Sequence, residues 1–585
     1  MLNVLKKIKY IFLVFPCFLL ALCACIACKK EEPNPPGAQE RNTLMIYMCG
    51  SDLETKHSYA SLNIEEMLSA STKSNNHYVV MAGGANRWTN NLIKSDHLTT
   101  FEISNGEMKN IEYFDLKNMG EASTLRMFLD YSLENYPADN YSLIMWDHGG
   151  GILDGVCADE KFDFDALSIK EIEQAIRESS FEEKLDFIGM DACLMANYSV
   201  AHAIIPFANY FVASEELEFG TGWDYNAIFS SFGDADFYDK ILHSYSQKHA
   251  DKNYYTLSVV ELEYVYDLTD FFVQLSRIEK NKVVDVINAS IEYGGDQSKL
   301  RKSNLYDMGE VASKLGINID LDFIKSVAGA YRDTSYGLTF YFPLGQQSYL
   351  SDILSLSKND AYNSMLKSFF SEDPENTIVF ENEGDISNGG FFVSLTEESK
   401  DYFSQIYYRL FRVDGHYFTL GSDNDIITEG SKYSLNFVGN WVFLNGHYIN
   451  CEIIDKTEAY TKYISPVLVN GERAHLCFIY TKEREAKILG YTLSDKKHSR
   501  LNLLQEGDKI DILHYDVSLG LDGSYYIGHT VYYSQGLQIE VEKLPDGDYY
   551  IELIIEDIYG NTFQSLGVLY LITNGLAYSY SLVYG

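Results

Sequence analysis

Residues 141–151, YSLIMWDHGGG, form a short apolar run that ends in polar residues and glycines. Residues 185–194, LDFIGMDACL, have a similar arrangement, with an apolar run that ends at an aspartate and a cysteine. Each run is nearly continuous in apolar side chains, which is typical of a central parallel strand covered on both faces. The two stretches therefore predict neighbouring strands whose carboxyl ends meet at one edge of a sheet.

Further runs of the same kind extend this predicted sheet. They are TLMIYMC at 43–49, YVVMA at 78–82 and YFVA at 210–213. Amphipathic segments lie between the runs, and Ser168 and Glu171 form a capping box that predicts the start of a helix. This alternation predicts an α/β domain over residues 42–372, with helices on both faces of a mostly parallel sheet. A further strand is expected at 337–342.

The pattern changes at about residue 373. Short runs such as WVFLNG, HLCFIY and YYIELIIEDI alternate with glycine, asparagine and aspartate turns up to residue 585. This pattern is typical of antiparallel strands, so residues 373–585 are predicted to form a C-terminal all-β region of one or two sandwich-like domains. Its aromatic residues favour core packing, with a carbohydrate-binding or partner-binding surface as the alternative.

Composition limits the partners of this 585-residue chain. Its formal net charge is −38, which argues against nucleic acid and against an anionic membrane surface as ligands. A negative field favours cationic peptides instead. The cysteines beyond the first 28 residues are too sparse for a disulfide framework. Cys451 and Cys477 remain open between a disulfide and two buried free thiols.

The first 28 residues have the composition of an export signal. Lysines precede an apolar run from Tyr10 to Cys28, as in a secretory signal. The run ends in LCACIAC, which resembles a bacterial lipoprotein signal with Cys25 as the lipidated residue. Cys28 is the alternative residue, and an uncleaved signal anchor is a third interpretation. With a polar, proline-rich tether at 29–41, the chain is expected to be lipid-anchored at the bacterial cell envelope, outside the cytoplasm.

Cys193 and His148 are the predicted reactive pair. The segment from 194 to 206 is predicted to be helical, which would place the Cys193 thiol at a helix N-terminus that favours the thiolate. Gly149 and the glycines after it leave room for a substrate backbone beside the imidazole. A nucleophile and a base at one sheet edge predict covalent acyl transfer, with the N–H groups of Gly149 and Cys193 as the oxyanion hole. For each residue alone, the alternative is a structural role.

These motifs resemble those of the clostripain-like cysteine peptidases, which belong to the same broad fold group as caspases and gingipains. The matching motifs are IYMCGSDLE (46–54), NIEEML (63–68), WDHGGG (146–151), GMDACLMA (189–196), ASEE (213–216), GTGWDY (220–225) and GLTFYFP (337–343). The resemblance covers about residues 42–370. It implies a caspase-like α/β/α sandwich, a dyad of His148 and Cys193, and cleavage of polypeptides after Arg or Lys.

The resemblance also implies a basic specificity pocket. Asp191 stands where the family places the acid of its S1 pocket, and a carboxylate there would pair with a basic side chain, bidentately with Arg. Glu215 and Glu216 follow the next predicted strand and are further candidates for the same pocket. Asp147 is expected to orient the loop or His148.

Self-processing and calcium dependence occur in the family and are carried over as expectations. Some members cut themselves between the histidine and cysteine motifs, and ADEKFDFDALS at 158–168 is predicted to be an exposed loop that offers Lys161 for cleavage. No loop has the spacing of an EF-hand, so no metal ligands are assigned and no cofactor is required.

A different class of function is a surface binding lipoprotein that uses a peptidase-like scaffold without catalysis. A binding module has no need of both Cys193 and His148, so the retained pair favours the enzyme.

Overall fold

The computed structural model describes residues 40–580 apart from short internal gaps. The gaps are residues 253–254, 295–302, 333–334, 345–349, 371–376, 388–389, 457–459, 482–484, 495–500, 520–523 and 535. The predicted export signal with Cys25 and Cys28, and the tether up to residue 39, lie outside the described residues. Within the described part, no helix combines the length and the apolar character needed to cross a membrane.

The α/β part is built around one large sheet. Its strands and those of two small pairs are β1 (Asn42–Cys49), β2 (Asn76–Gly83), β3 (His97–Ser104), β4 (Glu107–Asp115), β5 (Asn140–Trp146), β6 (Val156–Asp159), β7 (Asp165–Leu167), β8 (Leu185–Asp191), β9 (Ala208–Ala213), β10 (Thr256–Glu261), β11 (Leu305–Asp307), β12 (Ile324–Ala328) and β13 (Thr339–Tyr341). Among the described residues, the large sheet has the order β12-β10-β9-β8-β5-β1-β2-β3-β4.

The centre of this sheet is parallel, as the continuous apolar runs predict. Strands β2, β1, β5, β8 and β9 are all mutually parallel neighbours. Antiparallel strands β3 and β4 extend one edge and β10 and β12 the other. The sequence pattern missed β4 because its largely exposed side chains lack a continuous apolar run. The strand expected at 337–342 exists as β13, but it pairs with β11 outside the large sheet.

Helices cover both faces of the sheet. They are α1 (Ser51–His57), α2 (Tyr59–Ser69), α3 (Ala122–Asn135), α4 (Gly151–Asp154), α5 (Ile169–Glu178), α6 (Tyr198–Ile204), α7 (Tyr225–Ser231), α8 (Phe237–Lys248), α9 (Thr269–Leu275), α10 (Lys280–Asn288), α11 (Met308–Leu315), α12 (Leu350–Leu356) and α13 (Asp360–Phe370). Met45 and Tyr47 of β1 pack in one core with α3 and α5, whereas Leu44 and Ile46 pack in a second core with α2 and α8. The predicted α/β/α sandwich is confirmed, as is the capping box of Ser168 and Glu171.

Strands replace helices in the C-terminal region, as the sequence predicts. They are β14 (Phe380–Ser387), β15 (Gly390–Leu395), β16 (Phe403–Val413), β17 (Tyr417–Asp423), β18 (Ile426–Glu429), β19 (Lys432–Leu435), β20 (Asn440–Leu444), β21 (His447–Tyr448), β22 (Glu452–Lys456), β23 (Tyr460–Val469), β24 (Glu472–Thr481), β25 (Ala486–Leu493), β26 (Lys509–Asp516), β27 (Ser524–Tyr532), β28 (Ile539–Lys543), β29 (Gly547–Asp557), β30 (Thr562–Gln564), β31 (Val568–Thr573) and β32 (Leu576–Tyr580). Cys451 and Cys477 are buried free thiols rather than a disulfide. From Arg41 onward, the α/β part and this β-rich region form one compact unit.

Candidate active site

Strands β5 and β8 bring the two predicted motifs to the same level of the sheet. Trp146 pairs with Asp191 in parallel register, and the N–H of Asp147 donates to the carbonyl oxygen of Asp191 at 3.4 Å. His148 follows Trp146 by two residues, and Cys193 follows Asp191 by two. Because neighbouring strands lie about 4.8 Å apart, both reactive residues leave the sheet at one edge, as predicted.

Gly149 sets the approach of the two loops. A Cβ atom at this position would lie 2.5 Å from the carbonyl oxygen of Cys193 and 3.0 Å from its nitrogen. Gly151 has a φ of +65°, and a Cβ atom there would lie 3.2 Å from the carbonyl oxygen of Leu194. Backbones packed this closely require glycine. The loop of His148 is therefore in van der Waals contact with the backbone of Cys193.

Cys193 lies in a turn and not at the start of a helix. Leu194 has a left-handed φ of +63°. The next helix begins at Tyr198, after Asn197, whose side-chain oxygen accepts a hydrogen bond from the N–H of Ser199 at 2.9 Å. The expectation of a helix from residue 194, with its dipole on the thiol, is wrong because asparagine is a strong N-cap and delays the helix start.

A backbone N–H group, and not a helix dipole, acts on the Cys193 thiol. The Cys193 side chain is 0 % exposed, and its Sγ accepts a hydrogen bond from the N–H of Glu218 at 3.2 Å. A donor directed at sulfur stabilises a thiolate more than a thiol. The segment that follows β9 therefore supplies a donor that would support a thiolate at Cys193.

His148 is oriented by an acid to which the sequence pattern assigned no role. Its Nε2 lies 2.7 Å from Oδ1 of Asp52, and His148 is only 3 % exposed. Because a carboxylate only accepts hydrogen bonds, Nε2 carries the proton and Nδ1 is the basic nitrogen of the neutral ring. Asp52 thus fixes both the tautomer and the orientation of the imidazole.

The three side chains follow three adjacent strands in the same order. Strands β1, β5 and β8 are neighbours in the sheet, and Met48 of β1 pairs with Trp146 of β5. Asp52 lies just beyond the carboxyl end of β1, as His148 and Cys193 lie beyond the ends of β5 and β8. The motif at 46–54 contains Asp52, but only the order of the strands shows that this acid reaches the imidazole.

Asp147 interacts with Cys49 at the end of β1. Burial raises the pKa of the Cys49 thiol well above its usual value, and the charge of Asp147 and a hydrogen bond with it raise the pKa further. Of the two roles expected for Asp147, these contacts fit orientation of the loop. The residue that orients His148 is Asp52.

Asp191 is fully buried and faces the loop of the GTGWDY motif. Its Oδ2 accepts hydrogen bonds from the N–H of Trp223 at 3.1 Å and from the hydroxyl of Tyr225 at 3.0 Å. Gly222 has a φ of +60°, and a Cβ atom there would lie 2.6 Å from the same carboxylate oxygen. The loop therefore requires glycine at this position and holds the carboxylate in one orientation.

Glu215 and Glu216 both have intramolecular partners. Glu216 forms a buried ion pair with Arg332, with 3.0 Å from Oε2 to Nε and 2.5 Å to Nη2. Glu215 accepts a hydrogen bond from the N–H of Gly337 at 3.1 Å. Burial raises the pKa of Glu215 well above its usual value, and the neighbouring Asp307 raises it further. These contacts do not support the S1 role expected for either residue, because Glu216 already has a cation and Glu215 is bound to the backbone of Gly337.

Glu218 is a further buried acid beside Cys193 that the sequence pattern did not identify. One carboxylate oxygen accepts from the indole N–H of Trp223 at 3.2 Å, and the other accepts from the hydroxyl of Tyr245 at 2.5 Å. Its backbone is the donor to the Cys193 sulfur. The available signal was its position between the ASEE and GTGWDY motifs, where apolar neighbours on both sides indicate burial.

The stretch predicted as an exposed loop around Lys161 is an ordered hairpin. Strand β6 pairs with β7, and Lys161 lies in the short helical turn between them. Its backbone N–H donates to the side chain of Asp159 at 2.9 Å. The expected irregular loop is wrong because this aspartate caps the turn. Self-cleavage after Lys161 stays a prediction.

No metal ligands are assigned at this site. Within the described residues, no group of three or more His, Cys, Asp or Glu side chains could hold a metal ion. Calcium dependence stays a prediction from the resemblance.

The β-rich region contacts residues next to the candidate site. The backbone of Phe219, next to Glu218, forms a β-bridge with Leu501. Lys56 lies 3.9 Å from Asp52 and 2.5 Å from Glu472 of the β-rich region. The apolar cluster that contains Cys193 also includes side chains of the β-rich region, namely Ile464, Cys477, Ile479, Leu489 and Leu501. The burial of the site is therefore shared between the two parts of the molecule.

Comparisons with known proteins agree on one family. The model of the Clostripain family matches residues 46–414, which is more than half of the 585 residues. Clostripain of Hathewaya histolytica is 34% identical over 130 residues, which are 19% of this chain and 24% of that protein. The chain thus matches about a quarter of the length of this curated relative.

Solved structures from two bacteria also match part of the chain. A secreted C11 cysteine protease from Bacteroides thetaiotaomicron, "iotapain", is 16% identical, with a TM-score of 0.46, and the match covers 56% of this chain and 99% of that one. An inactive zymogen C11 protease from Parabacteroides distasonis is 18% identical, with a TM-score of 0.44, over 55% of this chain and 97% of that one. The assignment of a family rests on the family match and not on these superpositions.

Proposed function

Because the chain belongs to the clostripain family of cysteine peptidases, we propose that it is an endopeptidase that cleaves polypeptides after Arg or Lys, with Cys193 as nucleophile and His148 as acid and base. One observation carries this proposal. Asp52, His148 and Cys193 follow adjacent parallel strands, and Gly149 packs against the Cys193 backbone. The carboxyl ends of parallel strands are where open α/β sheets bind their ligands.

Acylation begins with attack of the Cys193 thiolate on the scissile carbonyl carbon. The carbonyl oxygen takes the negative charge, and in this proposal the N–H groups of Gly149 and Cys193 donate to it, each worth about 3–4 kcal/mol. The imidazolium of His148 gives its proton to the leaving amine as the C–N bond breaks. The products of this step are the free amine, a neutral imidazole and a thioester at Cys193.

Deacylation returns the site to its starting state. Neutral His148 takes a proton from a water molecule as the water oxygen attacks the thioester carbon. The C–S bond then breaks, Cys193 leaves as the thiolate, and the carboxylic acid product is released. Asp52 keeps Nε2 protonated throughout and stabilises the imidazolium that forms.

Specificity for a basic P1 side chain is proposed to come from Asp191, with Glu218 beside it. Both carboxylates are fully buried. A carboxylate removed from water pairs strongly with an ammonium or guanidinium group that enters its pocket. The chain's net charge of −38 also favours cationic substrates.

Hydrolysis of a matched peptide series tests the proposal. The peptides differ only at P1, with Arg, Lys, Asp or Leu, and are incubated with the wild type and with Cys193→Ala. We expect turnover of the Arg and Lys peptides by the wild type and a loss of at least about 10³-fold in Cys193→Ala. Equal turnover by both proteins would remove Cys193 as nucleophile, and turnover of only the Asp peptide would remove Asp191 as the S1 acid.

We also propose that residues 1–28 export the chain and that Cys25 carries the lipid anchor, with Cys28 as the alternative. The support is the composition of the segment alone. Metabolic labelling with a fatty-acid analogue should be lost in Cys25→Ser and retained in Cys28→Ser. Retention of the label in both variants would contradict lipidation at Cys25.

A further inference from the structure

A buried lysine lies in the β-rich region next to the candidate site. Lys462 of β23 is only 1 % exposed. Ile464, on the same face of the strand, belongs to the apolar cluster that contains Cys193. Lysine is almost never fully buried unless its ammonium group is paired, because an uncompensated buried charge costs several kcal/mol. Lys462 must therefore meet anionic groups within this interface.

The pairing of β23 with β24 shows which way Lys462 faces. Lys462 pairs with Ile479, and Ile464 pairs with Cys477. These three apolar residues belong to the cluster of Cys193. Neighbours along the two strands belong instead to the core of the β-rich region, namely Val467, Leu476 and Phe478. Since side chains alternate along a strand, Lys462 faces the α/β part and not the core of its own region.

Charged residues of both parts of the molecule act on the thiol of Cys477. Burial raises the pKa of this thiol to about 11, the positive charge of Lys462 lowers it, and the negative charge of Glu216 raises it. Both charges act on this one thiol, which lies in the cluster of Cys193. Phe219, the residue after Glu218, bridges Leu501 of the β-rich region, so the face that carries Lys462 meets the α/β part at the segment 215–219.

Glu216 and Glu218 of that segment and Asp191 of β8 differ in the contacts they make. Glu216 is paired with the guanidinium of Arg332. The hydrogen bonds described above for Asp191 and Glu218 come from neutral donors, which are the backbone and indole of Trp223 and the hydroxyls of Tyr225 and Tyr245. Neutral donors do not cancel the charge of a buried carboxylate, so these two acids attract a cation.

We infer that Lys462 places its ammonium group in the acidic pocket of Asp191 and Glu218, where it competes with a substrate P1 side chain and slows the wild-type peptidase. This inference rests on the proposed function, because it names an internal occupant for the proposed S1 pocket. It also indicates that the pocket accepts the length of a lysine side chain.

The position of Lys462 within the sheet explains why it would not be cut. It pairs with Asp455 of β22 on one side and with Ile479 of β24 on the other. The backbone of Lys462 is therefore hydrogen-bonded to a neighbouring strand on both edges. Attack on the peptide bond that follows Lys462 would require an unpaired backbone, so this bond is protected. Two further contacts join the β-rich region to residues near the site, the ion pair of Lys56 with Glu472 and the bridge of Phe219 with Leu501.

The test is the rate at which a peptidyl acyloxymethyl ketone with lysine at P1 labels Cys193 in the full chain. Lys462→Met keeps the aliphatic stem and removes the charge. Its matched control is Lys509→Met, a lysine of the neighbouring strand β26 that pairs with Asp511 and is 44% exposed. We expect labelling of Lys462→Met to be at least about 10-fold faster than that of the wild type, because the competing occupant is lost. Lys509→Met should label at the wild-type rate.

Each outcome decides one question. Equal labelling rates for Lys462→Met and the wild type would overturn the inference and leave the proposed function standing. Absence of label at Cys193 in every variant would overturn the proposed function, and the inference with it. Lys462→Gln, with a polar head group, is the second variant, and the melting temperature of each protein shows whether its fold is kept. A matched probe with leucine at P1 should remain slow on all chains, which a general loosening of the structure would not produce.

Discussion

Two buried acidic corners flank the Cys193 loop, and they differ in the origin of their cation. In the first corner, Glu216 pairs with Arg332, which is fully buried and belongs to the same α/β part. In the second corner, Asp191 and Glu218 are bonded to neutral donors, and we infer that their cation is Lys462 of the β-rich region. A cation supplied from within one part is a fixed element of its fold. A cation supplied from another region can be exchanged for one that a substrate carries.

The largest effect is expected from breaking the first corner. Arg332→Leu leaves the charge of Glu216 buried without its guanidinium, which should lower the free energy of unfolding by about 3–5 kcal/mol. Denaturant unfolding of the two proteins measures this difference. An unchanged free energy of unfolding would show that this ion pair is not a fixed element of the fold.

Substitution in the second corner should change substrate specificity more than the free energy of unfolding. Asp191→Asn in the Lys462→Met background should lower kcat/KM for a Lys P1 peptide by about 10- to 100-fold, the value of a hydrogen bond to a charged group. The Leu P1 peptide should be little affected. Glu216→Gln is the comparison, and it should leave the ratio of the two peptides unchanged. If Glu216→Gln alone changed that ratio, Glu216 rather than Asp191 would be the acid that selects the P1 side chain.

A separate pair of buried acids, Glu215 and Asp307, should make stability depend on pH. Burial raises the pKa of Asp307, the neighbour of Glu215, to about 6, whereas an aspartate in an unfolded chain has a pKa of about 3.9. Because the folded pKa is the higher one, this contribution to stability is complete below about pH 4 and is lost as the pH rises through about 6. Asp307→Asn cannot ionise, so its free energy of unfolding relative to the wild type should rise by about 2–3 kcal/mol as the pH goes from 4 to 7. Unfolding curves at both pH values measure this gain, and a pH-independent difference would contradict it.

The smallest effect is expected where an ion pair lies in solvent. Lys325 and Asp239 are 2.7 Å apart, with side chains 58% and 61% exposed. Lys325→Leu should change the free energy of unfolding by less than about 1 kcal/mol, measured as for Arg332→Leu. A loss as large as that of Arg332→Leu would mean that burial does not explain the difference between the two pairs.

The sequence was sufficient to predict the parts of the fold that depend on local patterns. Continuous apolar runs located the parallel strands, and their polar ends located His148 and Cys193. The same patterns failed at the start of the helix after Cys193, where Asn197 acts as a cap that the apolar pattern concealed. They also failed at the hairpin around Lys161, whose acidic composition resembles that of a loop.

Features that depend on long-range order could not be read in this way. Asp52 is close to His148 only because β1 lies beside β5. The residues around Asp52 do not predict which strand will lie next to β1. Lys462 resembles the solvent-facing lysine of an ordinary strand, and only the packing of the β-rich region on the α/β part buries it.

The central claim is that Asp52, His148 and Cys193 act as one unit. The most direct test asks whether Asp52 affects catalysis only through His148. The measurement is kcat/KM for a Lys P1 peptide with Asp52→Asn, His148→Ala and the double variant, all in the Lys462→Met background. We predict that the double variant loses no more activity than His148→Ala alone, because Asp52 has no role once the imidazole is gone. A double variant whose loss equals the product of the two single losses would contradict the arrangement of Asp52, His148 and Cys193 as one unit.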